Sequence, residues 1–143
     1  MEQEQEMKIE YLHLIQEPIS RMSTTSAIFK GFTATIVAGI SLISYASINA
    51  LVLFLSFFPV LSFALLDLYY LSLERKLRFL YKSVINGNQE IDFSINLNLD
   101  EYEMFLAKAR ICDCVKSPSF YYFYPVMLMV LFLVFLFQCM QFI

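Results

Sequence analysis

Residues 66–84, LDLYYLSLERKLRFLYKSV, decide how the rest of the chain is interpreted. The stretch begins inside a long apolar run whose only charged residue is Asp67, and it continues as a helix rich in Arg and Lys. An acidic side chain inside lipid costs several kcal/mol unless it is paired or hydrated. A carboxylate near the end of an apolar run, followed directly by a basic helix, therefore predicts a membrane-spanning helix that emerges into water.

The composition favours the same interpretation. Of the 143 residues, 59% are hydrophobic and 17% are aromatic, whereas typical globular chains are about 45–50% apolar. A chain of this length has room for one core, which is too small to enclose so many large apolar side chains. Lipid must solvate some of them, so we expect an all-α membrane protein.

Three segments are long and apolar enough to span a bilayer, which needs about 20 residues. These segments are 27–45, 48–71 and 119–143. The link between the first two is Ala46-Ser47, which predicts a tight transmembrane helical hairpin. The predicted organisation is an N-terminal helix over 1–26, the hairpin over 27–71, a middle region over 72–118 and the third span over 119–143.

Basic residues are concentrated before the first span and between the second and third, and none follows the third span. Because Lys and Arg in short loops stay on the cytoplasmic side, the N-terminus and the middle region should be cytoplasmic and the C-terminus should reach the outer side. Tyrosines are expected to form interfacial belts, at Tyr45, Tyr121, Tyr122 and Tyr124.

The N-terminal segment has an apolar helical face, formed by Leu12, Ile15, Ile19 and Met22. The segment is acidic, so it should not favour anionic lipid. We expect its face to contact a cytoplasmic protein partner or the chain's own middle region, and we expect Pro18 to kink or restart the helix.

The middle region contains a strand pattern over 91–99. Apolar residues alternate there with polar ones, at Ile91, Phe93, Ile95, Leu97 and Leu99. No second strand is visible in the sequence, so this strand either lies across helices as an extended arm or pairs with the same strand of a neighbouring copy. Together with its flanking helices it predicts a small cytoplasmic helix-strand-helix element.

Small residues recur every four positions in the first span, at Ala27, Gly31, Thr35 and Gly39. Such a stripe lets helix backbones approach closely in lipid, although small residues are also common in spans generally. Because larger residues such as Phe32 fall on another face, we expect the stripe to pack between copies in a homo-oligomeric bundle.

Lys30 and Asp67 fall at similar depths in the predicted hairpin. Counted from the turn, they differ in depth by about 6 Å at the rise of an α-helix, so we predict that they approach each other, directly or through water. Three interpretations stay open: a buried pair that fixes the register of the hairpin, a charge that lines an ion path or gate, or an Asp67 side chain that reaches interfacial water.

The helix after Asp67 carries a membrane-proximal group of charges, Glu74, Arg75, Lys76, Arg78 and Lys82. Glu74 and Arg78 have the spacing of a favourable i,i+4 pair. The other cations can contact lipid phosphate or a polyanionic ligand, or they simply follow the preference for basic residues on the cytoplasmic side.

No catalytic, metal or cofactor site is predicted. Zinc sites favour Cys-x-x-Cys pairs with two further ligands, whereas one residue separates Cys112 from Cys114 and His13 is the only histidine. One histidine cannot serve every role that nucleophilic catalysis requires. Direct nucleic-acid binding is not expected, because the chain is acidic and its basic run faces a bilayer.

The order of these features resembles a group of small bacterial three-span membrane proteins found among anti-phage defence systems. The resemblance covers residues 12–136, while the acidic start and the 91–99 strand depart from the pattern. It rests on Arg21, Met22, Lys30, Pro59, Asp67, Tyr69, Tyr70, Glu74, Arg75, Arg78, Tyr81, Tyr124 and Pro125. It implies a place in the bacterial inner membrane and in phage defence, and it brings no catalytic residues.

We therefore expect a membrane subunit or effector of an anti-phage defence system, which oligomerises and alters membrane permeability when a cytoplasmic partner signals. Lys30 and Asp67 would lie at the cytoplasmic mouth, and the N-terminal helix and the 91–99 strand would sense the partner. Hydroxyl side chains of span one would line the pore, at Thr33, Thr35, Ser41 and Ser44. The alternative is a non-conducting anchor or scaffold that recruits a soluble partner protein; a transporter is disfavoured because three spans show no repeat.

Overall fold

The structure is a computed structural model that describes residues 2–44, 50–86 and 111–141, and these residues are almost entirely helical. The helices are α1 (Glu2–Ser44), α2 (Ala50–Leu55), α3 (Phe57–Ile85), α4 (Ile111–Val115) and α5 (Pro118–Gln141). Three stretches are long and apolar enough to cross a membrane, Gln5–Ser44, Leu51–Ile85 and Pro118–Met140. The prediction of an all-α chain with three such helices is confirmed. The described residues contain no strand, and the strand predicted over 91–99 lies outside them.

α1 is one unbroken helix of 43 residues, where the sequence predicted an amphipathic helix and a separate span. Pro18 lies inside α1, so the predicted restart at this residue is wrong. An interior proline removes one backbone hydrogen bond and costs about 3 kcal/mol. Apolar packing offsets this cost on both sides of the proline, because Ile15 and Ile19 belong to the same apolar cluster.

The second predicted span is divided at Ser56 into α2 and α3. The Ser56 amide donates to the carbonyls of Val52 and Leu53, at 3.1 and 3.2 Å, and α3 begins at the next residue. Pro59 then falls in the first turn of α3, where its missing N–H has no helical partner to lose. The break is therefore a local interruption of one apolar stretch.

The chain divides into two compact units. Unit 1 comprises Met1–Ser26 and Tyr69–Cys114, and unit 2 comprises Ala27–Leu68 and Val115–Ile143. α1 and α3 are therefore each divided between the two units, with one part of the helix in unit 1 and the other part in unit 2.

In unit 1 the first half of α1 packs on the second half of α3. Tyr11 and Ile15 are buried against Leu77, Leu80 and Val84, and the three α3 positions recur at the spacing of one helical face. Partly buried residues complete this cluster, Leu12, Ile19, Met22 and Tyr81. The apolar face predicted for the N-terminal segment therefore packs on the chain's own middle region.

In unit 2 the second half of α1, the start of α3 and α5 share an apolar core with Val37, Val60 and Leu131 at its centre. The Gln138 side-chain amide donates to the Ser44 carbonyl at 2.6 Å, which satisfies a backbone group that has no partner at a helix end. Large apolar side chains also point outward from unit 2, among them Leu42, Leu65 and Met140. Outward apolar surface of this kind marks contact with a membrane or another protein.

Candidate functional site

Lys30 of α1 and Asp67 of α3 form an ion pair in unit 2. The Lys30 Nζ atom lies 2.9 Å from Asp67 Oδ2. The Asp67 side chain is fully buried, and the Lys30 side chain is 19% exposed. The structure thus brings together the two charges that hairpin geometry predicted to approach each other, and it leaves no surface of Asp67 exposed.

Two more polar side chains join this pair. The Tyr124 hydroxyl of α5 lies close to the Asp67 and Thr33 side chains, and it donates to the Phe63 carbonyl at 3.4 Å. Thr33 is fully buried and donates its hydroxyl to the Phe29 carbonyl at 2.9 Å. We call the four side chains the buried polar cluster: Lys30, Thr33, Asp67 and Tyr124.

Aromatic side chains of unit 2 pack against one another in the same part of the sequence as the buried polar cluster. The Phe29 and Phe63 ring centroids are 5.9 Å apart, and those of Phe120 and Tyr124 are 4.7 Å apart. Apolar surroundings lower the effective dielectric constant, which strengthens the attraction between an ammonium and a carboxylate. The same surroundings make either charge costly when its partner is removed.

Tyr124 is the member of the cluster whose burial the sequence did not predict. Together with Tyr121 and Tyr122 it was predicted to form an interfacial belt. In the structure Tyr121 and Tyr122 are exposed, whereas Tyr124 is 2% exposed. The spacing of Phe120, Tyr124 and Leu131 does place them on one helical face, but every face of α5 is apolar, so the sequence does not indicate which face points inward.

The four hydroxyl side chains expected to line a pore differ in their exposure within the chain. Thr33 and Ser44 are buried inside unit 2, whereas Thr35 is exposed and Ser41 is half-buried. The hydroxyls of Thr33, Thr35 and Ser41 each donate to a carbonyl one turn earlier in α1, which satisfies their donors without water. That the four hydroxyls line a pore between several copies stays a prediction.

The small-residue stripe faces away from the core of unit 2. Ala27, Gly31 and Thr35 are exposed, and Gly39 is half-buried. A Cβ atom added at Gly31 or Gly39 would meet no described atom within 4 Å. The described residues thus do not use the stripe for packing inside the chain, and its packing between copies stays a prediction.

The charges of α3 have different surroundings. Glu74 Oε1 lies 2.7 Å from Arg78 Nε, and the Glu74 carboxylate is largely buried. Arg75 donates to a backbone carbonyl of α4 at 3.2 Å. Lys76 is half-buried, and Lys82 is exposed. The group predicted as one basic helix therefore contains an ion pair, a link to α4 and separate cations.

Cys114 of α4 is buried in unit 1. Burial raises the pKa of the Cys114 thiol; the Arg75 guanidinium opposes this effect, and the Asp113 carboxylate adds to it. A buried thiol that stays protonated is a poor nucleophile. The other predicted site residues in the middle region lie outside the described residues, at Ile91, Phe93, Ile95, Leu97 and Leu99.

No protein-family model, no curated protein and no solved structure matches this chain.

Proposed function

We propose that this chain is a membrane subunit or effector of a bacterial anti-phage defence system. It oligomerises in the inner membrane and alters the permeability of that membrane when a cytoplasmic partner signals. The observation that carries the proposal is the buried polar cluster, in which a fully buried carboxylate lies 2.9 Å from an ammonium. Both charges lie in helices that are long and apolar enough to cross a membrane.

A buried ion pair favours a switching role over a purely stabilising one. Well-packed apolar residues of similar volume usually stabilise a protein as well as a buried ion pair, or better. Ionisable residues within membrane segments commonly mark ion paths and relays. The Lys30–Asp67 pair suits a gate: the closed state keeps the charges in contact, and the open state separates and hydrates them.

α1 and α3 are suited to carry a signal to this gate. Each is a single helix that holds one charge of the pair and also contributes to unit 1. A partner that binds either helix in unit 1 and shifts it along its axis would change the separation of Lys30 and Asp67. Small helix shifts of this kind are a common element of switching transitions.

Orientation and assembly follow from charge and size. The distribution of basic residues supports an N-terminus and middle region in the cytoplasm and a C-terminus on the outer side. Three helices are too few to enclose a water-filled path, so conduction requires several copies. The outward stripe, with Ala27, Gly31 and Thr35 exposed, supplies a surface on which helices of two copies can approach closely.

Membrane potential in expressing bacteria tests the proposal. Lys30→Met and Asp67→Asn each leave one charge without its partner, so each should open the gate and depolarise the cells without a trigger. The double variant removes both charges and should restore the resting potential. Lys76→Met removes a cation of α3 outside the cluster and should behave as wild type. Normal potential in both single variants, at normal membrane abundance, contradicts the gate.

The assembly is tested separately with Gly31→Leu. Because a Cβ atom added at Gly31 would meet no described atom within 4 Å, we expect the larger side chain to fit the isolated chain but to obstruct close contact between helices of two copies. Light scattering of the detergent-solubilised protein should show a smaller assembly. Ser62→Leu places the same side chain at an exposed position of α3 and should leave the assembly unchanged; equal behaviour of the two variants contradicts a stripe contact.

A non-conducting anchor that recruits a soluble partner is the second candidate. The observation that favours it is the burial of the cluster, in which Thr33, Asp67 and Tyr124 have almost no exposed surface. In this case the ion pair fixes the register of α1 and α3 and nothing else. Cells that express any of the charge variants above then keep a normal membrane potential, while unit 1 still retains a soluble partner in the membrane fraction.

A further inference from the structure

A cleft lies in unit 1 between the first half of α1 and the end of α3. Its volume is about 560 Å³, which falls within the range of about 300–1,000 Å³ for small-molecule sites. Its polar lining comes from Gln16, Ser20, Arg78 and Lys82. We propose that this cleft binds the phosphate group of a phosphorylated small molecule or lipid, with Arg78 and Lys82 as its cationic ligands.

The two cations are placed to share one anion. Arg78 and Lys82 are one turn apart on α3, so their side chains project from the same face. Among the described residues Arg78 engages Glu74 through Nε and no bond of its terminal nitrogens is observed, so both can donate to phosphate oxygens, a geometry that arginine favours. Among the described residues, no carboxylate forms an ion pair with the exposed Lys82.

The facing wall adds neutral donors. Gln16 and Ser20 are one turn apart on α1, and both are exposed. An amide N–H and a hydroxyl can each donate to a phosphate or ester oxygen. No carboxylate belongs to the described lining of the cleft, so nothing in that lining repels an anion.

The apolar part of the lining indicates that the ligand is larger than a phosphate ion. Ile19, Tyr81 and Ile85 line the cleft beside its polar groups and can contact an acyl, glycerol or ring portion of a phosphate ester. The C-terminal end of a helix carries partial negative charge, which disfavours anions. Here Lys8 Nζ donates to the Ile85 carbonyl at 3.1 Å and offsets that charge.

Phosphate binding in this cleft goes beyond the proposed change in permeability and does not depend on it. The assays below measure binding itself, so a failure of one proposal leaves the other testable. The full-length chain in detergent is titrated calorimetrically with glycerol 3-phosphate and with adenosine monophosphate. Retention of phosphatidic acid, against diacylglycerol of the same acyl chains, is measured by native mass spectrometry. Binding of the soluble esters alone would identify the ligand as a soluble phosphate ester, and retention of phosphatidic acid alone would identify it as a lipid. Either result supports the proposal that the cleft binds a phosphate group.

Charge and shape variants show whether the cleft itself binds the phosphate. Lys82→Gln should weaken binding about tenfold, which corresponds to about 1.4 kcal/mol and is typical of one hydrogen bond to a charged group. Lys76→Gln makes the same change in charge on the same helix outside the cleft and should leave binding unchanged. Equal losses in these two variants would mean general attraction to a basic surface and would overturn the proposal.

A steric pair of variants keeps the charge constant. Ser20→Leu fills the cleft from α1 and should abolish binding, whereas Ser23→Leu alters an exposed position outside the lining and should not affect it. Circular dichroism of each variant verifies that the helices are intact. The absence of binding by every probe, or full binding by folded Ser20→Leu, overturns the proposal.

Discussion

The two halves of α1 are packed in opposite ways. In unit 1 the apolar residues Tyr11 and Ile15 are buried, and the acidic residues Glu10 and Glu17 are exposed. In unit 2 the outer surface carries side chains such as Leu42, which is 77% exposed. One continuous helix therefore exposes acidic side chains in its first half and large apolar side chains in its second half.

The difference shows which forces hold each unit together. In water, burying one large apolar side chain stabilises the fold by about 1.5–3 kcal/mol, so the apolar cluster can organise unit 1. In lipid that driving force between helices is absent, and association depends on close packing and polar contacts. The specificity of unit 2 then rests on the buried polar cluster and on the bond from Gln138 to Ser44.

The largest expected effect is a loss of stability. It is measured by breaking the Lys30–Asp67 ion pair of unit 2 and, for comparison, the Glu74–Arg78 ion pair of unit 1. Asp67→Ala leaves the largely buried Lys30 charge without its partner, and removing one partner of a buried pair typically costs about 3–5 kcal/mol. Glu74→Ala breaks a pair whose Arg78 side chain is 58% exposed, and such pairs contribute about 0.2–1 kcal/mol. Unfolding of both variants is followed by circular dichroism in the same detergent.

A double variant separates the ion pair from the loss of packing volume. Lys30→Met with Asp67→Leu replaces both charges with apolar side chains and should recover most of the stability that Asp67→Ala loses, since apolar replacements of buried pairs are commonly tolerated. Equal losses for Asp67→Ala and Glu74→Ala would contradict the contrast between the two units.

A second comparison concerns the outer surfaces of α1. Leu42→Gln places an amide on the apolar exterior of unit 2, where an unpaired polar group costs about 2 kcal/mol or more. Leu14→Gln makes the same change at an exposed position of unit 1 and should alter stability by less than about 0.5 kcal/mol. Stability is measured in lipid nanodiscs, and equal effects would mean that both surfaces face the same solvent.

Hydropathy, length and charge position are sufficient to predict the helices and the approach of Lys30 to Asp67. Apolar runs of the right length form helices in lipid because backbone groups must bond internally there. The depth argument needs only the rise of a helix and a short turn between spans. These properties depend on local sequence, so they can be predicted without knowledge of tertiary packing.

The continuity of α1 and the orientation of α5 depend on information that the sequence carries weakly. Ser and Thr residues around 20–26 favour turns and caps in general, but here Thr24 and Thr25 donate to carbonyls one turn earlier and remain helical. α5 is apolar on every face, so no pattern distinguishes the inward Tyr124 from its outward neighbours. Only the packing of three helices makes that choice.

A third comparison, within α5, isolates one hydrogen-bonding group. Tyr124→Phe removes a hydroxyl that donates to the Phe63 carbonyl and lies close to Asp67, and it should destabilise the protein by about 1–2 kcal/mol because a buried polar group loses its partner. Tyr122→Phe makes the same change at a residue that is 69% exposed and should have no measurable effect. Unfolding midpoints in detergent provide the comparison, and matching midpoints would exclude Tyr124 from the cluster.

The smallest expected effect concerns pH and Cys114 in unit 1. Burial raises the pKa of this thiol above its ordinary value of 9.0, so the folded chain keeps its proton at a pH where the unfolded chain has lost it. Stability from this group is complete below the ordinary pKa and is lost as pH rises toward the raised pKa, by at most about 1.4 kcal/mol per pH unit.

Cys114→Ala should therefore remove a small part of the alkaline loss of stability, measured by unfolding at several pH values above neutrality. Cys139→Ala in α5 makes the same substitution at the other described free thiol and serves as the control for replacing a cysteine by alanine. Identical profiles for the Cys114 variant and the wild type would mean that this thiol does not titrate differently in the folded chain.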